Sequence, residues 1–93
     1  MFIEVIGRET LPDSLDRDDV EDAIADALGE RGEITGAGTG ISGWNLDVEL
    51  FEDGDTDECL VLIAGALVDL GVGWVLVRLE GWPQGRPAET ISG

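Results

Sequence analysis

Short runs of residues with the pattern of β-strands alternate along the chain with two stretches whose apolar residues recur at helical spacing. The clearest strand pattern runs from Trp44 to Leu50, where apolar and polar residues alternate and therefore fall on opposite faces. Apolar runs bounded by glycine or proline predict three more strands, at residues 2–6, at Ile34–Thr35 and at 74–80. The Gly-rich segment between the second and third strands is expected to be a flexible or bulged connection.

Two stretches repeat their apolar residues at the spacing of an α-helix. The first starts after Asp16, an expected N-cap, and stops at Gly29 or Gly32. Its apolar stripe consists of Val20, Ala23, Ile24, Ala27 and Leu28. The second starts at Asp55 and ends at Gly71. The expected core side of the second helix consists of Leu60, Ile63, Leu67 and Leu70.

The resulting order is strand, helix, strand, strand, helix, strand. This order predicts an α+β fold of the ferredoxin-like type, a split βαβ sandwich in which two helices cover one face of a four-stranded antiparallel sheet. The other face of the sheet would stay open. Residues 1–82 would form this single domain, and residues 83–93, which contain glycine and proline, are expected to be a loosely ordered C-terminal tail.

The charge of the chain is strongly negative. Its 93 residues include 21 acids against five basic residues, all of them arginine, for a formal net charge of −16. Nucleic acid and anionic membranes would repel such a domain, whereas a basic protein surface would attract it. Adaptation of a whole proteome to salt gives a similar composition and stays open as the other cause. The acids concentrate in segments 13–33 and 47–58, an uneven distribution that favours a partner.

The chain shows no sign of export or of a membrane span. A hydrophobic content of 43% is ordinary for a globular protein. The N-terminal apolar run contains an acid and lacks the basic leader of a signal peptide. The longest apolar run, Cys59–Val68, is about half as long as a membrane-spanning helix. We therefore expect a cytoplasmic protein that contacts no membrane.

Residue types that support catalysis are scarce. The chain has no His and no Tyr, so Cys59 has no imidazole to activate it. Gly38–Gly43 matches G-x-G-x-x-G but precedes a strand, whereas a dinucleotide site needs a helix N-terminus there. Asp53–Glu58 opens like a calcium loop but lacks the glycine and the glutamate that an EF-hand requires later in the loop. We expect no enzyme activity, no cofactor and no metal site.

Two acidic surfaces are candidates for binding a partner. The outer side of the first helix would carry Asp18, Asp22 and Asp26, which follow one another at intervals of four residues. The open sheet face would combine acids with aromatic and aliphatic groups, as protein interfaces often do. Its candidate residues are Glu4 of the first strand, Asp47 and Glu49 of the third, and Trp74 of the last.

A third candidate surface is an apolar strip on the second helix, on the side away from its expected core stripe. It consists of Val61, Ala64, Gly65 and Val68. Because a two-layer sandwich buries only one side of each helix, this strip predicts contact with a partner or with a second copy of the chain.

One stretch of the chain resembles known proteins. The segment Gly36–Gly40, continued through Asn45–Leu50 and followed by a helix, resembles small bacterial proteins of ferredoxin-like appearance. Together with its size and charge, the chain also resembles immunity proteins that neutralise polymorphic toxins. The resemblance implies a protein that blocks a toxin's active site or an essential surface and needs no catalytic residues. It carries no contact residue over to this chain.

Two functional hypotheses follow. The first is a non-catalytic, acidic protein-binding domain of the immunity or inhibitor type, which docks on a basic protein such as a toxin domain. The second is a homodimeric regulatory or small-ligand-binding domain, whose acidity reflects salt adaptation. A complex that weakens with salt would favour the first hypothesis, and a stable dimer would favour the second.

Overall fold

The helices and strands follow the predicted order, and one more strand and one more helix come after them. The computed structural model describes residues 1–9, 11–12, 14–40, 43–51 and 56–92, with the backbone alone at 39 and 40. The strands are β1 (Phe2–Gly7), β2 (Gly32–Gly40), β3 (Gly43–Leu50), β4 (Leu76–Leu79) and β5 (Arg86–Pro87). The helices are α1 (Arg17–Leu28), α2 (Thr56–Asp69) and α3 (Ala88–Ser92), and a 3-10 turn, Gly29–Arg31, follows α1.

All five strands belong to one antiparallel sheet with the order β2-β3-β1-β4-β5. The fold is therefore α+β. The prediction of a four-stranded sheet is wrong, because β5 adds a fifth strand beside β4. β1 lies at the centre, paired with β3 on one side and with β4 on the other.

Alternation along the strands determines which face of the sheet is buried. Ile3 and Val5 of β1 and Leu46 and Val48 of β3 are fully buried, as the sequence pattern predicts. They form one hydrophobic cluster with the inner sides of α1 and α2. α2 contacts α1 and α3, so the helices form a layer over this face. The other face of the sheet has no helix on it among the described residues.

The ends of the two long helices follow local rules. At the start of α1, the backbone N–H of Asp16 donates to Oδ2 of Asp19 at 2.9 Å, which satisfies a donor at the helix end. At the end of α2, Gly71 has a φ of 83°. The N–H of Val72 then donates to the carbonyl of Leu67 at 3.0 Å, the bond of a Schellman motif. α2 thus ends at Asp69, two residues before the predicted end, and Gly71 closes the helix.

β2 passes through the Gly-rich segment that the sequence pattern assigns to a connection. Gly36 and Gly38 lie opposite Asp47 and Asn45 of β3. A Cβ at Gly36 would lie 3.0 Å from Oδ2 of Asp47, and one at Gly38 would lie 2.9 Å from Oδ1 of Asn45. Glycine therefore gives the side chains of β3 room to lie across β2. The register shifts between Ile34 and Gly36, which is a β-bulge.

The C-terminal segment carries secondary structure. The sequence pattern predicts a loose tail at 83–93, whereas residues 86–92 form β5 and α3. Ala88 is fully buried, and its N–H donates to the carbonyl of Val75 at 2.9 Å. These contacts attach the segment to the turn before β4. They are tertiary contacts, which the composition of a short Gly- and Pro-containing segment does not reveal.

Parts of the sequence motifs lie outside the described residues. These parts are residues 41–42 of the G-x-G-x-x-G segment and residues 53–55 of the segment that resembles a calcium loop. Asp55, the predicted start of the second helix, is among them.

Candidate protein-binding surface

The open face of the sheet gathers side chains from three neighbouring strands. Residues directly opposite one another in antiparallel strands point to the same face. The open face therefore carries Phe2, Glu4 and Ile6 from β1, Asn45, Asp47 and Glu49 from β3, and Leu76 and Arg78 from β4. Three of the predicted site residues, Glu4, Asp47 and Glu49, thus share one face on adjoining strands.

The strand register places carboxylates opposite one another. Glu4 lies opposite Asp47, and Glu33 of β2 lies opposite Glu49. The Cβ atoms of such pairs are about 4.5–5.5 Å apart, so like charges there destabilise the sheet. Arg78 lies opposite Glu4 on its other side, with Nη1 of the arginine 3.7 Å from Oε1 of the glutamate. This exposed ion pair is weak and offsets only one of the four negative charges.

A depression of about 310 Å³ opens among these side chains. Its walls include Phe2, Glu4, Thr35, Asp47, Arg78 and Glu80. Phe2 is 49% exposed, so its ring is available for contact. A lysine or arginine side chain suits this surface, because its alkyl stem can pack on the ring while its charged end reaches the carboxylates.

Trp74 does not stand on the open strand face. β4 begins at Leu76, two residues later than predicted, and Trp74 lies in the preceding turn, half-buried against the core. Val72 and Val75 are fully buried, and the N–H of Val75 donates to the carbonyl of Val72 at 3.0 Å. The prediction of a strand from Trp74 is therefore wrong, because the turn after α2 includes this residue.

The aspartates of the first helix form a separate surface. Asp18, Asp22 and Asp26 are all exposed on α1, as their spacing predicts. α1 packs with its buried side on the face of the sheet opposite the depression. The α1 aspartates and the sheet carboxylates therefore lie on opposite layers of the domain and do not combine into one site.

The predicted apolar strip of α2 is only partly exposed. Val61 and Val68 are 49% and 39% exposed, and Gly65 is half-buried. Ala64 is fully buried, so its prediction as a residue of the outer strip is wrong. It lies one helical turn from both Leu60 and Leu67, and these neighbours place it on the core side of the helix.

A groove of about 360 Å³ runs between α1 and α2. It is lined by Ala23 and Ala27 of α1, by Val61, Leu62, Gly65, Ala66 and Asp69 of α2, and by Leu70 in the turn that follows. The two alanines belong to the predicted core stripe of the first helix, but their small side chains leave space at the edge of the core. The groove is largely apolar, with Asp69 as the charged residue in its lining.

The sequence interpretation missed two acids of the open face, Glu33 and Glu80. A signal for each exists in the alternating pattern: Glu33 precedes the apolar Ile34, and Glu80 follows Arg78 by two residues. Thr35, which also lines the depression, follows Glu33 by two residues, so the same alternation indicates it. The bulge in β2 changes the register only after Ile34.

Among the described residues, no three side chains of the His, Cys, Asp and Glu types are grouped as a metal site would require. Within those residues, no helix combines the length and the apolar character needed to cross a bilayer.

Comparison with known proteins adds no relative. No family model matches the chain, and neither a curated protein nor a solved structure is similar to it. The resemblance to immunity proteins therefore stays a prediction, and the geometry of the surfaces is what bears on function.

Proposed function

We propose that this chain is a non-catalytic, acidic protein-binding domain of the immunity or inhibitor type, which docks its open sheet face on a basic surface of another protein such as a toxin domain. The observation that carries this proposal is the register that places Glu4 opposite Asp47 and Glu33 opposite Glu49. Like charges in these positions cost the free domain stability, and the cations of a partner would offset that cost.

The surroundings of these carboxylates support the same function. Phe2 offers an exposed aromatic ring at the depression, and Leu76 and Ile6 add half-buried apolar surface nearby. An aromatic group within a polar surround is typical of the residues that dominate binding energy in protein interfaces. The net charge of −16 would also accelerate the encounter with a basic partner at low salt.

We also propose that the first four strands, with α1 and α2, form a ferredoxin-like arrangement. The strand order β2-β3-β1-β4 and the position of both helices on one face support it. In this arrangement β5 and α3 are additions at one edge. The uncovered sheet face is then the natural binding surface of the domain.

A matched pair of variants tests which surface binds. Glu4→Gln/Asp47→Asn removes two charges from the sheet face, and Asp18→Asn/Asp22→Asn removes the same charge from α1. The product of the adjacent gene serves as the partner, and calorimetry at low and high salt measures the affinity. We expect the sheet variant to lose about tenfold or more in affinity, since it removes the charges that face the partner, and the helix variant to stay near the wild type.

Three outcomes would count against the proposal. Equal losses in the two variants would indicate attraction by net charge alone. An affinity that does not change with salt would exclude an electrostatic interface. A chain that light scattering shows to be a dimer at both low and high salt would instead support the homodimeric regulatory or small-ligand-binding alternative.

A further inference from the structure

We propose that the groove between α1 and α2 binds a basic, amphipathic α-helix of a partner protein. This site lies on the helical layer, on the other side of the domain from the open sheet face. The inference goes beyond the function proposed above and does not depend on it.

The shape and lining of the groove fit a helix. Its lining on α2 extends from Val61 to Asp69, which corresponds to roughly 12 Å along the helix axis, a little more than two turns. Apart from Asp69, the residues that line it are glycine or apolar. A helix that lies in an apolar groove presents residues at intervals of three and four to such a surface.

Gly65 contributes to the open space of the groove. A Cβ at this position would meet no atom within 4 Å, and its φ is not in the left-handed region. Neither the packing nor the backbone of this chain therefore requires glycine here, although glycine lowers helix stability relative to alanine. A missing side chain at a helix surface lets another helix approach more closely.

Acidic residues at the groove favour a positively charged occupant. Asp69 lines the groove, and Asp26 lies one turn beyond Ala23 on the exposed side of α1. No residue of the lining is basic. A second copy of the chain would bring the same acids and another charge of −16. A helix with an apolar face and basic flanks complements both the apolar lining of the groove and the acids Asp26 and Asp69 beside it.

A synthetic peptide with an apolar face and basic flanks tests the proposal on the full chain. The probe is a fluorophore-labelled synthetic peptide of about 15 residues, long enough to form a helix, with Ala and Leu on one face and Lys on the other. A peptide of the same composition in scrambled order lacks the apolar face. We expect fluorescence anisotropy to show about tenfold tighter binding of the amphipathic peptide.

A matched pair of leucine substitutions locates the peptide. Gly65→Leu fills the groove and should weaken binding about tenfold or more, because the peptide loses its closest approach. Ala25→Leu adds the same side chain to an exposed position on the outer side of α1 and should leave binding unchanged. Circular dichroism of both variants establishes that each is folded.

Charge variants separate this site from the sheet face. Asp69→Asn should weaken peptide binding severalfold, and Glu4→Gln on the sheet face should not. Equal affinity for the two peptides would overturn the proposal. So would unchanged binding by folded Gly65→Leu, equal losses in Asp69→Asn and Glu4→Gln, or a dimer of the free chain that Gly65→Leu dissociates. None of these results decides whether the sheet face binds its own partner.

Discussion

The open sheet face and the outer side of α1 carry the same kind of charge in different geometries. On the sheet, the register holds Glu4 directly opposite Asp47. On α1, Asp18, Asp22 and Asp26 follow one another by a helical turn, and the helix N-terminus stabilises Asp18. A similar local density of acids is therefore more costly on the sheet. Composition and charge alone do not reveal this difference.

The two layers also differ in how tightly they are packed. Gly7 of β1 is buried against the indole ring of Trp44, and a Cβ there would overlap the ring. Gly65 of α2 faces open space. The opposed carboxylates therefore lie on a sheet whose inner side is tightly packed around Gly7. The α1 aspartates, which repel one another less, lie on a helical layer that contains an open groove. Substitutions at these positions test the contrast.

Gly7→Ala should have the largest effect. A methyl group at Gly7 would overlap the ring of Trp44, which is only 8% exposed, so the substitution must displace a buried ring. We expect a loss of about 1–3 kcal/mol in the free energy of unfolding, measured by urea denaturation. The same substitution in a Trp44→Leu background should cost much less, because the ring is gone. Equal costs in both backgrounds would show that this contact is not the cause.

Gly65→Ala should stabilise the domain, whereas Gly7→Ala should destabilise it. Because the added methyl group meets no neighbour, the substitution should raise the free energy of unfolding by roughly 0.5–1 kcal/mol through better helix propensity. Thermal and urea denaturation both measure it. Gly71→Ala is the matched control: its positive φ makes alanine unfavourable, so it should destabilise. A loss of stability in Gly65→Ala would contradict the open groove.

The smallest effects compare the charges themselves. Asp47→Asn should raise the free energy of unfolding by about 0.2–1 kcal/mol, because it removes the repulsion with Glu4 across the strands. Asp26→Asn should raise it by about 0.2–0.5 kcal/mol, the value for one pair of like charges a helical turn apart, because within α1 it removes only the repulsion with Asp22. Both gains should shrink as salt is added. If the helix variant gained as much as the sheet variant at low salt, the contrast between the two layers would fail.

Part of the candidate site could be predicted from the sequence because alternation is strong in β1 and β3. It placed Glu4, Asp47 and Glu49 on one face, and the burial of the intervening residues confirms that face. β2 could not be predicted in full, since glycines carry no side-chain pattern. Gly36 becomes understandable as a strand residue only when Asp47 is seen to lie across it.

Other elements escaped prediction because tertiary contacts hold them. α3 has five residues, too few to be stable as an isolated helix, and it is anchored by the burial of Ala88. Trp74 sits in an apolar run that looks like a strand, but the turn that follows α2 reaches past it. The separation of the α1 aspartates from the sheet carboxylates is likewise a property of the layers and has no counterpart in the sequence.

The bulge in β2 also affects whether two copies of the domain pair through their sheet edges. β2 is an edge strand of the described sheet, and long flat edges of this type invite backbone pairing between molecules. The bulge at Thr35 interrupts that row of backbone donors and acceptors and twists the strand locally. Glu33 adds a charge to the segment before it. An irregularity that adjusts register thus also works against edge-to-edge aggregation of a glycine-rich strand.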